Sequence, residues 1–98
     1  MHNPLTTLQE LALDIILADY ESVPAIEEQV KLLLGNGVSR QQIVDALEVL
    51  REARLVDAFV CREADQRFER YRRARLKAGA TLWWRATDAG RHAAALNS

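Results

Sequence analysis

Ninety-eight residues, 49% hydrophobic and 28% charged, suit one small folded domain and exclude a disordered chain, because enough apolar surface is present to offset chain entropy. The longest mainly apolar run, residues 11–18, holds Asp14 and is too short to span a bilayer, and the single Cys61 excludes an internal disulfide. A net charge of −1 conceals a split: residues 1–61 carry four basic and ten acidic side chains, a net of −6, and residues 62–98 carry nine and four, a net of +5. Such a dipole points to a polyanion or an acidic partner. No basic stretch followed by an apolar run opens the chain, so a cytoplasmic protein without membrane contact is expected.

In chain order, the first helix is expected over residues 7–20. "TLQE" reads as a capping box in which the Thr7 hydroxyl accepts from the Glu10 amide and Glu10 reaches back. Leu8, Leu11, Ala12 and Ile15 form one stripe at helical spacing, with Leu13 and Leu17 nearly opposite. That second stripe is either a dimer contact or is covered by the terminal segments. The second helix, residues 23–34, has Pro24 in its first turn, where a missing N–H is tolerated, and Glu27 and Glu28 near its positive end. Ile26, Val30 and Leu33 form its inward face, and Gly35-Asn36-Gly37 ends it. The third helix, residues 39–53, begins at Ser39 with Gln42 three positions on, another capping box, and turns Ile43, Leu47 and Leu50 inward.

A strand follows over residues 55–61. The insert of residues 62–79 has no β-branched residue, many helix formers, and Glu63–Arg67 and Glu69–Arg73 at i, i+4, which favours a helix from 63 to 77 over an extended hairpin arm. A second strand, residues 81–86, places the adjacent Trp83 and Trp84 on opposite faces. One belongs to the core, and the other packs under the insert or at a subunit contact. A turn and a helix over residues 88–97 end the chain.

"GVSRQQIVDALEVLREARLV" resembles the recognition-helix segment of winged helix-turn-helix regulators. "LWWRATDAGRHAAAL" is similar to their second wing strand and following helix. The resemblance implies a mainly α winged-helix fold with a small antiparallel β-hairpin, to which the residues of this chain add an elongated wing insert that reads as helical. Two departures stand out: Ala53–Arg54 replaces the glycine usual before the strand, and the insert is far longer than an ordinary wing tip.

The resemblance further implies a small DNA-binding regulator whose third helix enters the major groove, with Arg40, Gln41, Gln42 and Asp45 at its start. Against this, Gln41, Asp45, Glu48 and Glu52 lie opposite the core stripe, and three of the four are acids that repel phosphate. The insert is the candidate compensation. Arg62, Arg67, Arg70, Arg72, Arg73, Arg75 and Lys77 stand there against three acids, with Phe68 and Tyr71 interleaved. The same charges also suit a solvated segment pairing with the acidic half of the fold or of a partner.

Duplex DNA and a homodimer are therefore the expected partners, and a protein-interaction module without DNA binding is the alternative. No cofactor, metal or catalysis is expected. His2 and His92 lack ligand spacing, nothing activates Cys61, and "GNG" lacks the lysine of a phosphate loop. With the whole chain spent on the module, a regulatory ligand would bind at the dimer interface.

Overall fold

In the computed structural model, which describes residues 5–62, 64–72 and 82–96, the chain begins with helix α1 (Thr7–Ile15). Its capping box lies one residue earlier than expected. The Thr6 hydroxyl accepts from the Gln9 amide at 3.1 Å, and the Gln9 side chain accepts from the Thr6 amide at 3.0 Å. The helix also ends sooner than residue 20. The Ile16 carbonyl, which would accept from that residue, instead accepts from the Ala86 amide at 2.9 Å. The chain then bends into the two-residue strand β1 (Glu21–Ser22).

Helix α2 (Val23–Leu34) follows at once, with the Ser22 hydroxyl accepting from Ala25 and Pro24 in the first turn. It buries Val23, Ile26 and Val30, but Leu33 is 65% exposed, so its assignment to the inward face is corrected. The burial of α2 ends at Val30, and Lys31 to Leu34 of its last turn are exposed to solvent. Helix α3 (Arg40–Glu52) has the expected Ser39–Gln42 box and buries Ile43, Leu47 and Leu50 completely.

Among the described residues four helices and a small antiparallel sheet result, with four strands rather than a two-stranded hairpin. Strands β2 (Val56–Arg62), β3 (Arg67–Arg70) and β4 (Trp83–Ala86) join β1 in the order β1-β4-β2-β3. Helix α4 (Asp88–Leu96) closes the core against α1. This corrects the dimer contact expected of Leu13. It is 1% exposed, because α1 is covered by α2, α3 and α4, and Leu17 is half-buried against the same core.

The insert differs most from expectation. Residues 67–70 form a strand paired with β2 where a helix was expected, Gln66 turns the chain at φ 56°, and residues 63 and 73–77 of the expected helix lie outside the described residues. Helix propensity and two i, i+4 ion pairs are worth only tenths of a kcal/mol each. Aromatic packing outweighs them: Phe68 stacks on Tyr20 with centroids 4.0 Å apart and meets Trp83 edge-on at 5.4 Å. Trp83 thus packs under the insert, while Trp84 is fully buried.

The corner between α3 and β2 needs both a glycine and a left-handed residue. The Leu55 amide reaches the Leu50 carbonyl and the Arg54 amide reaches the Arg51 carbonyl, both at 2.9 Å, which is a Schellman closure. Arg54 occupies its left-handed position at φ 62°. The missing glycine therefore does not let the helix run on; arginine takes the conformation instead. Gly90 of α4 presses on this corner so closely that a Cβ there would stand 1.9 Å from the Leu55 carbonyl oxygen.

Candidate functional site

The start of α3 is the first candidate surface. Its capping box occupies Gln42, whose side-chain oxygen accepts from the Ser39 amide at 2.7 Å. Arg40 lies against α2 and donates twice to Glu27, from Nε at 3.2 Å and from Nη2 at 3.1 Å. The hydrogen bond from Arg40 is the main reason the Glu27 carboxyl titrates below its ordinary value, with charge attraction from Arg40 and Lys31 adding to it. The same bond raises the Arg40 guanidinium. Gln41 donates to Asp45 at 2.8 Å, one helical turn on. Four residues expected to read bases are thus brought to one helix end, each bonded within the domain.

Further along α3, Asp45 and Glu52 are exposed and Glu48 is half-buried. Arg51 turns to the ribbon: its Nη2 donates to the Tyr71 carbonyl at 2.9 Å, and its guanidinium carbon lies 5.4 Å from the Tyr71 ring centroid.

The ribbon of β2 and β3 divides the arginines expected to act together. Arg62 and Arg67 face each other across the pair and share a side with Val60 and Glu69, whereas Arg70 belongs to the opposite side with Phe59 and Phe68. Arg62 pairs with Glu69 at 2.8 Å, Arg67 lies 3.9 Å from Asp65, and Arg70 pairs with Asp57, of the acidic half, at 2.6 Å. Arg72 is exposed; Arg73, Arg75 and Lys77 lie outside the described residues. Exposed pairs of this kind contribute little stability, yet they occupy the donors a phosphate would need. On the side of Arg70, Tyr20, Phe59, Phe68 and Trp83 form one aromatic cluster, with Arg85 5.1 Å above Tyr20. Sequence reasoning placed neither Tyr20 nor Phe59 there, since nothing local marks a contact across thirty-nine positions.

A second surface lies at the other end of α3. Glu48, Arg51, Glu52, Arg54 and Arg72 line an open depression of ≈540 Å³ between the helix end and the base of the ribbon. Arg51 and Arg54 were not among the expected binding residues. The signal that could have found them was the substitution of Ala53–Arg54 for the usual glycine. Among the described residues no helix is long and apolar enough to cross a membrane.

Comparison with protein-family models, curated proteins and solved structures gives no match.

Proposed function

We propose that this chain is a winged-helix domain that works by binding a protein partner, without catalysis and without reading duplex DNA. The winged-helix reading is supported by the element order, with three helices, a ribbon and a closing helix, and by β1 pairing with β4 beside β2. The observation that carries the functional reading is the start of α3: Arg40, Gln41 and Gln42 are bonded to Glu27, Asp45 and Ser39. A base edge would have to displace each of those contacts, on a helix whose outer face carries Asp45, Glu48 and Glu52.

The partner surface is the last turn of α2, where Leu32, Leu33 and Leu34 are 80%, 65% and 43% exposed. Three adjacent leucines in water favour burial against another molecule. Glu28 and Lys31 are exposed beside the ridge as well, so the partner chemistry that fits is an apolar surface with charges of both signs at its border. The test is a low-salt titration of ¹⁵N-labelled protein with random-sequence duplex. The amides of Gln41, Gln42 and β3 should stay in place, and salt-sensitive shifts there would overturn the reading. In a parallel capture experiment, Leu32→Ser with Leu33→Ser should lose the partners that the parent holds. Sedimentation of the chain alone separates self-association from a different protein: a dimer lost on the same substitutions assigns the ridge to a second copy.

Duplex binding is the second reading, favoured by the exposed guanidiniums of Arg62, Arg67, Arg70 and Arg72 on the ribbon. It requires steep salt dependence and a uniform loss of affinity across sequences when Arg72 and Arg73 are both changed to Glu.

A further inference from the structure

The depression at the end of α3 shows an arginine kept where local chemistry favours glycine. Arg54 holds φ at 62°, a conformation that costs a side-chain-bearing residue about 1–2 kcal/mol and glycine almost nothing. The surroundings leave it no alternative. The Arg54 carbonyl accepts from the Thr87 hydroxyl at 2.8 Å, and the next carbonyl, of Leu55, accepts from the Thr87 amide at 3.0 Å. A strained position held from several sides, with its side chain lining a groove, is the pattern of a site in which the side chain has a task.

The electrostatics of the groove agree. Arg54 and Arg72 enter no ion pair among the described residues, although Glu48 and Glu52 line the same space. Elsewhere among those residues Arg40, Arg62, Arg67, Arg70 and Arg91 are paired, and Arg85, which is not, lies over the Tyr20 ring. Arg51, the third guanidinium, is positioned by the Tyr71 carbonyl and ring. Every lining residue is charged, so the groove suits a hydrophilic ligand, and ≈540 Å³ is room for a small molecule.

We propose that this groove binds a small phosphate monoester bearing hydroxyl groups, such as a sugar phosphate. Arg54 and Arg72 hold the phosphate through their forked donors, and Arg51 adds positive charge from its fixed position. Glu48 and Glu52, one helical turn apart, accept from the hydroxyls. The two carboxylates also explain why a compact ligand fits better than a polyanion: they would repel the next phosphate of a continuous backbone while bonding a neutral polyol. The site is remote from the leucine ridge of α2 in sequence and does not rest on the protein-binding reading. It also differs from the expectation that a ligand would need a dimer interface, because one chain supplies all five residues.

The test uses ribose 5-phosphate, inorganic phosphate and random duplex as probes, with the amides of α3 and the Nε–H signals of its arginines as readout. Ribose 5-phosphate should give saturable shifts centred on the end of α3, and inorganic phosphate should bind more weakly. Arg54→Gly is the decisive variant, since it removes the guanidinium while relaxing the backbone, so lost binding cannot be ascribed to lost folding. It should weaken ribose 5-phosphate binding about tenfold or more, and Arg72→Gln should do likewise. Absence of saturable shifts, or unchanged affinity in Arg54→Gly, overturns the site. Equal affinity for inorganic phosphate overturns the role of Glu48 and Glu52. Shifts with duplex alone overturn the small-ligand assignment and give the groove to the DNA reading.

Discussion

The two ends of α3 solve opposite problems. At its start, residues suited to capping occupy the capping positions, and the polar side chains nearby are bonded to neighbours within the domain. At its end, a residue poorly suited to its backbone conformation is retained, and two guanidiniums remain without carboxylate partners among the described residues. The end that resembles a DNA reader is therefore chemically closed, and the end with no assigned role is chemically open. A helix terminus made of favoured residues explains itself through stability. One that forgoes stability calls for another explanation, and the proposed ligand site offers one.

The largest expected effect tests whether the open end is rigid. Gly90→Ala places a Cβ against the Leu55 carbonyl, where backbone must move, and should cost about 3 kcal/mol of stability. A urea midpoint that falls at unchanged slope is the expected result. An unshifted midpoint would mean that the corner yields easily and that Arg54 is not held under strain. Next comes Phe68→Ala, which removes the stacking on Tyr20 and the contact with Trp83 and should cost about 2 kcal/mol. Its signature is a red shift of tryptophan emission with the helical circular dichroism retained. Loss of helix as well would show that the ribbon belongs to the core rather than docking on it.

The comparison is sharpest when both ends are changed with opposite expected signs. Ser39→Ala removes a favoured cap, leaves the Gln42 amide without its acceptor, and should destabilise by about 1 kcal/mol. Arg54→Gly should stabilise by about 1 kcal/mol, raising the melting temperature by roughly 4–8 °C for a domain of this size. Should Arg54→Gly lower the melting temperature instead, the arginine would be a structural asset and the argument from strain would fail.

These contrasts also show what the sequence made legible. Helices α2 and α3, the Ser39 cap, strands β2 and β4 and the burial of one of the two adjacent tryptophans follow from periodicity and capping chemistry, both local signals; β1, β3 and the choice of Trp84 do not. Leu13 is ambiguous because helical spacing shows that two stripes exist but not that a fourth helix, Asp88–Leu96, covers one of them. Phe68 was misassigned for the same reason: its neighbours favour a helix, and the contacts that make it a strand come from Tyr20 and Trp83. The composition of the candidate surface at the start of α3 was readable, and its acidity was seen. That Arg40 is spent on Glu27 was not, since thirteen positions separate them.

The Arg40–Glu27 pair gives the smallest effect and the most direct test of whether the closed end is closed. Glu27 titrates below the ordinary carboxylate range in the folded chain, chiefly because Arg40 donates to it. The unfolded chain therefore binds the proton more readily. The contribution of this group to stability is complete above the unfolded value, near 4.5, and is lost as pH falls through the lower folded value. Arg40 shifts the other way, so its contribution is present at all ordinary pH and would be lost only in strong alkali. Glu27→Gln should accordingly lower stability near neutrality and leave it unchanged in acid, flattening the acid limb by that same amount, which is small for a pair whose arginine is 47% exposed. The same variant weakens the hold on Arg40. If that hold is what keeps α3 from nucleic acid, duplex affinity should rise in Glu27→Gln and fall again when Arg40→Ala is added. Should Glu27→Gln leave duplex affinity unchanged, the acids of the outer face, rather than the occupied arginine, are what exclude DNA.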